Sequence, residues 1–149
     1  MSRVLGFDFG LARIGVAVSS PLTGVASSLT VLHARQGEPD WAGILQLVRE
    51  WRPVVLVVGM PRKLDGSPSA MQEAITAFVR RLGQQTGLPV ELANEQLSSR
   101  EAEQRLRLAR QSGRKRKVRK EEIDQLAAVI ILENWMQERE QGGYDAQQL

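Results

Sequence analysis

The sequence predicts an α/β fold built on one mixed sheet of five strands flanked by helices. Three observations predict it. Short apolar segments near the amino terminus are joined by a glycine turn; the spacing of apolar residues changes from strand-like to helical near residue 40; and a continuous apolar run at 54–58 suits a strand covered on both faces. A chain of 149 residues buries roughly 70% of its unfolded surface, enough for one core, and no linker or internal repeat divides it. One domain over 1–141 is expected, with a polar, flexible tail at 142–149.

Taken in order, Val4-Leu5-Gly6-Phe7 reads as a first strand, interrupted by Asp8 and resumed by Phe9. Gly10 to Arg13 reads as a tight turn and Ile14 to Ser19 as a second strand, which together make a hairpin. Residues 26–33 supply a third strand and complete an antiparallel meander. Trp41, Ile44, Leu45, Val48 and Trp51 then recur at helical spacing, with Asp40 placed to cap the helix and Pro53 to end it. Val54 to Val58 is the fourth strand. Ser67 and Pro68 suit a cap and first helical position before the stripe Met71, Ile75, Phe78, Val79 and Leu82. Val90 to Ala93 is the fifth strand. Ser98 and Glu101 fit a capping box that opens a helix with Ala102, Leu106 and Ala109 on one side, and Gly113 breaks it. A last helix carries Ile123, Leu126, Ala127 and Ile130 on one face, and Trp135 further along it reads as core. A meander followed by strand–helix alternation is the order of a ribonuclease H-like topology.

Composition narrows the chemistry. The chain has no cysteine, which excludes disulfides, thiolate zinc sites and a cysteine nucleophile, and His33 is its single histidine. No apolar run approaches the ~20 residues that span a bilayer. The opening MSRVLGFDFG lacks the order of a signal peptide, so a cytoplasmic location is expected. Net charge is +3, but residues 100–120 hold ten Lys or Arg against Glu101 and Glu103, so the rest of the chain is acidic. A basic block on an otherwise acidic protein suits a polyanion; a solvated helix face is the plainer explanation.

Three carboxylates stand out by position. Asp8 lies within the first apolar strand, where an unpaired charge is costly to desolvate; pairing with Arg13 or capping of the Gly10 turn would also account for it. Glu95 follows the fifth strand at its carboxyl end, where open α/β sheets place ligand sites, although a loop carboxylate would read the same. Asp124 sits early in the last helix, where a contact with the helix dipole is the alternative. Two carboxylates ~4 Å apart repel by about 4 kcal/mol at an effective dielectric near 20, and a divalent cation reverses that sign. Oxygen ligands without His or Cys favour Mg²⁺ or Mn²⁺ over Zn²⁺. Paired metals of this kind serve phosphodiester cleavage.

The segments Asp8 to Ala17, Val57-Val58-Gly59-Met60-Pro61, Leu64-Asp65-Gly66, Asn94 to Ser99 and Asp124-Gln125-Leu126-Ala127-Ala128 resemble, in order, successive blocks of the YqgF/RuvX family. The resemblance runs from about residue 4 to residue 135. It implies a ribonuclease H-like nuclease, similar to Holliday junction resolvases, that matures the 5′ end of pre-16S ribosomal RNA. It implies Asp8, Glu95 and Asp124 as the catalytic and metal-holding acids, with Mg²⁺ or Mn²⁺ as cofactor and pre-rRNA or branched DNA as partner. It places Arg13 and the Gly59–Gly66 loop, which contains Lys63, beside the substrate path. With Arg114, Lys115, Arg116, Lys117, Arg119 and Lys120 they make up the expected nucleic-acid contacts. The chain departs from the family's usual residues at Ala12, Ser20, Asn94 and Gln96.

Two other functions fit parts of the sequence. The Asp8–Gly15 hairpin could serve an actin-like phosphotransferase, which normally needs two domains around its nucleotide and a second glycine-rich loop. The basic block alone would suffice for a non-catalytic RNA- or DNA-binding module in transcription or ribosome assembly.

Overall fold

The protein's structure, a computed structural model, describes residues 3–20, 24–60, 71–94 and 120–147. β1 (Val4–Asp8) pairs antiparallel with β2 (Arg13–Ser19) in a register running from Val4↔Ser19 to Asp8↔Gly15. β3 (Ala26–His33) lies antiparallel on the other side of β2, with a register shift between Val16 and Ala17. β4 (Val55–Met60) runs parallel to β1, and β5 (Val90–Asn94) parallel to β4. The sheet order is β3-β2-β1-β4-β5, the mixed five-stranded arrangement expected from the element order.

Strand parity divides the core into two layers. Leu5, Phe7, Ile14, Val16, Leu56 and Val58 face α1 (Trp41–Trp51) and α2 (Gln72–Thr86), where they meet Ile44, Ile75, Phe78 and Leu82. Val4, Ala17, Val55, Val57 and Ala93 face α3 (Lys120–Gln147) and pack on Ala128, Ile131, Leu132 and Trp135. The unbroken apolar run of β4 follows from this: alternate residues serve opposite layers, so no position is left for a polar side chain. Each large side chain buried in this way stabilises the fold by roughly 1.5–3 kcal/mol relative to exposure.

The helix limits have local causes. The Asp40 carboxylate accepts from the Gly43 N–H at 3.0 Å and so caps α1. At the other end Arg52 adopts the left-handed conformation (φ 47°), its N–H bonds the Val48 carbonyl, and Pro53 prevents continuation. α2 stops at Gly87, also left-handed. The Phe78 ring meets Phe7, Phe9 and Trp41, which ties both helices to β1. Arg81 of α2 stacks over Trp41 and donates to both carboxylate oxygens of Glu38, at 2.9 and 2.6 Å. That guanidinium holds the Glu38 carboxyl below its usual range.

α3 is the single helix described on its face of the sheet. Ile123, Leu126, Ala127 and Ile130 group together, but Ala128, Val129, Ile131 and Leu132 are buried as well. The helix is therefore apolar nearly all round through this stretch, and the sheet takes a broader seam than the single stripe read from sequence. Trp135 is buried, and its indole N–H donates to Glu91 at 3.1 Å, while Arg139 reaches the same carboxylate at 3.2 Å. At Gly6 a Cβ would stand 2.5 Å from Leu132 Cγ, so the missing side chain lets α3 lie close on β1. α3 includes Gly142 through Gln147, the first part of the segment expected as a tail. The expected Ser67–Pro68 cap and the Ser98–Ala109 helix lie outside the described residues.

Candidate active site

Asp8 is the last residue of β1, and its position is set by parity: Val4 and Gly6, on the same side of the strand, both meet α3. Its cross-strand partner is Gly15. In an antiparallel pair, directly opposed Cβ positions lie about 4.5–5.5 Å apart on the same face of the sheet. At Gly15 that face is occupied by α3 itself. A Cβ built there would clash with the backbone carbonyl of Asp124 and would stand 3.4 Å from Asp124 Cβ. The first turns of α3 thus rest directly on the Gly15 backbone. Asp8 and Asp124 converge on that one residue from two different elements.

Arg13, the first residue of β2, completes the arrangement. Its Nε donates to Asp124 Oδ2 at 2.7 Å, with both side chains about three-quarters covered (30% and 23% exposed). The sequence reading gave Arg13 to the substrate path and, alternatively, to Asp8; the structure places its guanidinium on Asp124. The intervening turn is braced from outside. The Ala34 N–H donates to the Ala12 carbonyl at 2.8 Å and the Gly37 N–H to the Leu11 carbonyl at 3.1 Å. Asp8 and Arg13 are therefore held at fixed separation across a turn tied to the loop after β3.

The carboxyl ends of β1, β4 and β5 lie along one edge, because these strands are parallel and adjacent. β5 ends at Asn94, opposite Met60. Glu95 follows at once in sequence but lies outside the described residues, as do Lys63, Arg114, Lys115, Arg116, Lys117 and Arg119. Lys120 opens α3, so the basic run leads by sequence into the helix that carries Asp124. Among the described residues no group of three His, Asp or Glu side chains stands close enough to hold a metal. What the described residues supply is Asp8 and Asp124 on one face of the sheet about Gly15, the latter steadied by a guanidinium. Oxygen donors without His or Cys favour Mg²⁺ or Mn²⁺ over Zn²⁺. The Gly15 seat was the feature that sequence reading missed. Its signal was a glycine inside an otherwise apolar strand, which marks a close backbone approach.

Comparison with known proteins identifies the family and the fold. The sequence pattern of the RuvX family, described as Holliday junction resolvase, matches residues 2–138. The chain is 47% identical to the "Putative pre-16S rRNA nuclease" of Azotobacter vinelandii, over 93% of this chain and 96% of that one. It is 44% identical to the protein of the same name in Nitrosococcus oceani, over 92% and 88%. Among solved structures it is similar to Thermus thermophilus RuvC in complex with a Holliday junction substrate, with a TM-score of 0.58 at 19% identity over 94% and 96% of the two chains. The Fowlpox virus resolvase bound to junction DNA is a second neighbour, with a TM-score of 0.54 at 9% identity over 91% and 97%. At such identities the likeness establishes the ribonuclease H-like fold.

Proposed function

The chain belongs to the RuvX family, and from that premise we propose that it is a metal-dependent nuclease whose substrate is the 5′ region of precursor 16S ribosomal RNA. The observation that carries the reading is the convergence of Asp8 and Asp124 on Gly15. Their carboxylates, joined by that of Glu95, would hold Mg²⁺ or Mn²⁺. Such ions activate water and stabilise the leaving oxygen of a phosphodiester. The chain's own part is to fix the acids before substrate arrives. β1 and β2 set Asp8, α3 sets Asp124, and Arg13 holds the Asp124 carboxylate in one orientation. The names of the relatives support pre-16S RNA as substrate, and the resolvase neighbours support recognition of branched or structured nucleic acid.

The test uses an end-labelled RNA spanning the mature 5′ end of 16S RNA and, beside it, a four-way DNA junction. Cleavage of the RNA near the mature end is expected with Mn²⁺ or Mg²⁺ and is expected to disappear in a chelator. A preparation free of contaminating nuclease that cuts neither substrate in either metal would refute the enzyme reading. Cutting of the junction alone would reassign the substrate to DNA.

The block at 114–120 is proposed to grip the backbone. If it contacts ~5 phosphates of a duplex, log K should fall against log salt with a slope of about −4.5. A slope near zero, or one unchanged when Arg114, Lys115, Arg116, Lys117, Arg119 and Lys120 become Ala, would show that binding lies elsewhere.

A further inference from the structure

A cleft of about 580 Å³ opens at the other end of the sheet, between the outer ends of β2 and β3 and the last turn of α1. It is separate from the acidic edge. Val4↔Ser19 and Asp8↔Gly15 mark opposite ends of the β1–β2 pair, four residue steps apart, or roughly 13 Å. The two sites also lie on opposite faces. Val18, Leu29 and Trp51 of the cleft belong to the layer under α1, whereas Asp8 faces α3.

Its lining is specific in chemistry. Val18, Leu29 and the Trp51 ring give an apolar wall. Arg3 lies over that ring, 5.2 Å from its centroid, and Arg52 stands at the end of α1. Neither guanidinium is ion-paired among the described residues. Ser27, which pairs with Val18 on the same face of the sheet, adds a hydroxyl. Glu50 also lines the cleft, and its carboxylate accepts from Gln46 at 3.1 Å.

Arg52 carries a second observation. It holds a left-handed backbone with φ 47°, at a helix end where glycine is the favoured residue. Glycine would adopt that backbone with less strain, so Arg52, a lining residue of the cleft, stands there at a cost in stability.

We propose that this cleft binds one nucleoside monophosphate unit. Two guanidiniums without an ion pair among the described residues select an anion, and the apolar wall selects a flat body attached to it. The Glu50 carboxylate repels a bare phosphate but accepts from a ribose hydroxyl or a base amine. The volume lies within the ~300–1,000 Å³ of ordinary small-molecule sites. The unit is either a free nucleotide or the unpaired, 5′-phosphorylated end of an RNA strand, which share this chemistry. The proposal does not depend on the nuclease reading.

Titration calorimetry of the full chain with AMP, with a 5′-phosphorylated oligoadenylate and with inorganic phosphate tests it. Saturable binding of AMP or the oligonucleotide is expected, weakened about tenfold by Arg52→Gly and again by Arg3→Gln, with phosphate alone far weaker. The thermal midpoint of Arg52→Gly should equal or exceed that of the parent. Equal affinity for AMP and the oligonucleotide assigns the site to free nucleotide; clear preference for the oligonucleotide assigns it to an RNA end. The proposal is overturned if neither probe binds, if phosphate binds as well as AMP, or if both Arg variants bind unchanged. Binding lost in Asp8→Asn but kept in Arg52→Gly would place the ligand at the acidic edge and overturn it too.

Discussion

Asp8→Asn is expected to lower the rate of metal-dependent cleavage by about three orders of magnitude while leaving nucleic-acid affinity within a few-fold of the parent. The change is isosteric, so it removes a charge and almost nothing else. Losing one carboxylate from a metal-holding pair forfeits several kcal/mol of charge stabilisation, and ~4 kcal/mol corresponds to about 10³ in rate. Affinity should survive because the proposed phosphate contacts lie on the basic block, far along the sequence from β1. Single-turnover cleavage beside a binding assay separates the two quantities. A rate within tenfold of the parent would remove Asp8 from the chemistry. A parallel loss of binding would point instead to a damaged fold, which the thermal midpoint would reveal.

Much of the fold was legible because burial leaves periodic traces. Val54 to Val58 read as a doubly covered strand, and the structure accounts for it by placing α1 and α2 on one side and α3 on the other. Asp40 read as a cap because a short acceptor before a helical stripe has few other uses. Less could be read where two remote segments define each other. Arg13 and Asp124 are 111 residues apart, and no local pattern says that a turn arginine will hold a helix aspartate. The stripe of α3 was read too narrowly for a related reason. A helix buried on more than one side has no polar face to fix its orientation, so Ala128, Ile131 and Leu132 gave no phase. The candidate site repeats the pattern: Asp8 was conspicuous as a charge in an apolar strand, whereas the glycine opposite it gave a weak signal.

That glycine yields the second large effect. Gly15→Ala adds one methyl group at a position whose backbone conformation any residue could adopt, since Gly15 is absent from the positive-φ residues. The difficulty is space alone. The new Cβ would clash with the Asp124 carbonyl, and that obstacle is helix backbone, which cannot swing aside as a side chain can. The start of α3 must retreat by about 1 Å to restore an ordinary carbon–oxygen contact. Overpacking of this kind costs ~1–3 kcal/mol, which for a chain of this size lowers the thermal midpoint by roughly 3–10 °C. The same retreat carries Asp124 away from Asp8 and strains its bond to Arg13, and a 1 Å misplacement can cost about 10² in rate. Gly6→Ala separates the two consequences. Its Cβ meets the Leu132 side chain, two turns further along α3, so it should lower stability without moving Asp124. Cleavage per folded molecule is therefore expected to fall about a hundredfold in Gly15→Ala and to stay near the parent value in Gly6→Ala. Equal rates in the two variants would mean that the seat of α3 on Gly15 serves packing alone and does not hold Asp124 in place for the reaction.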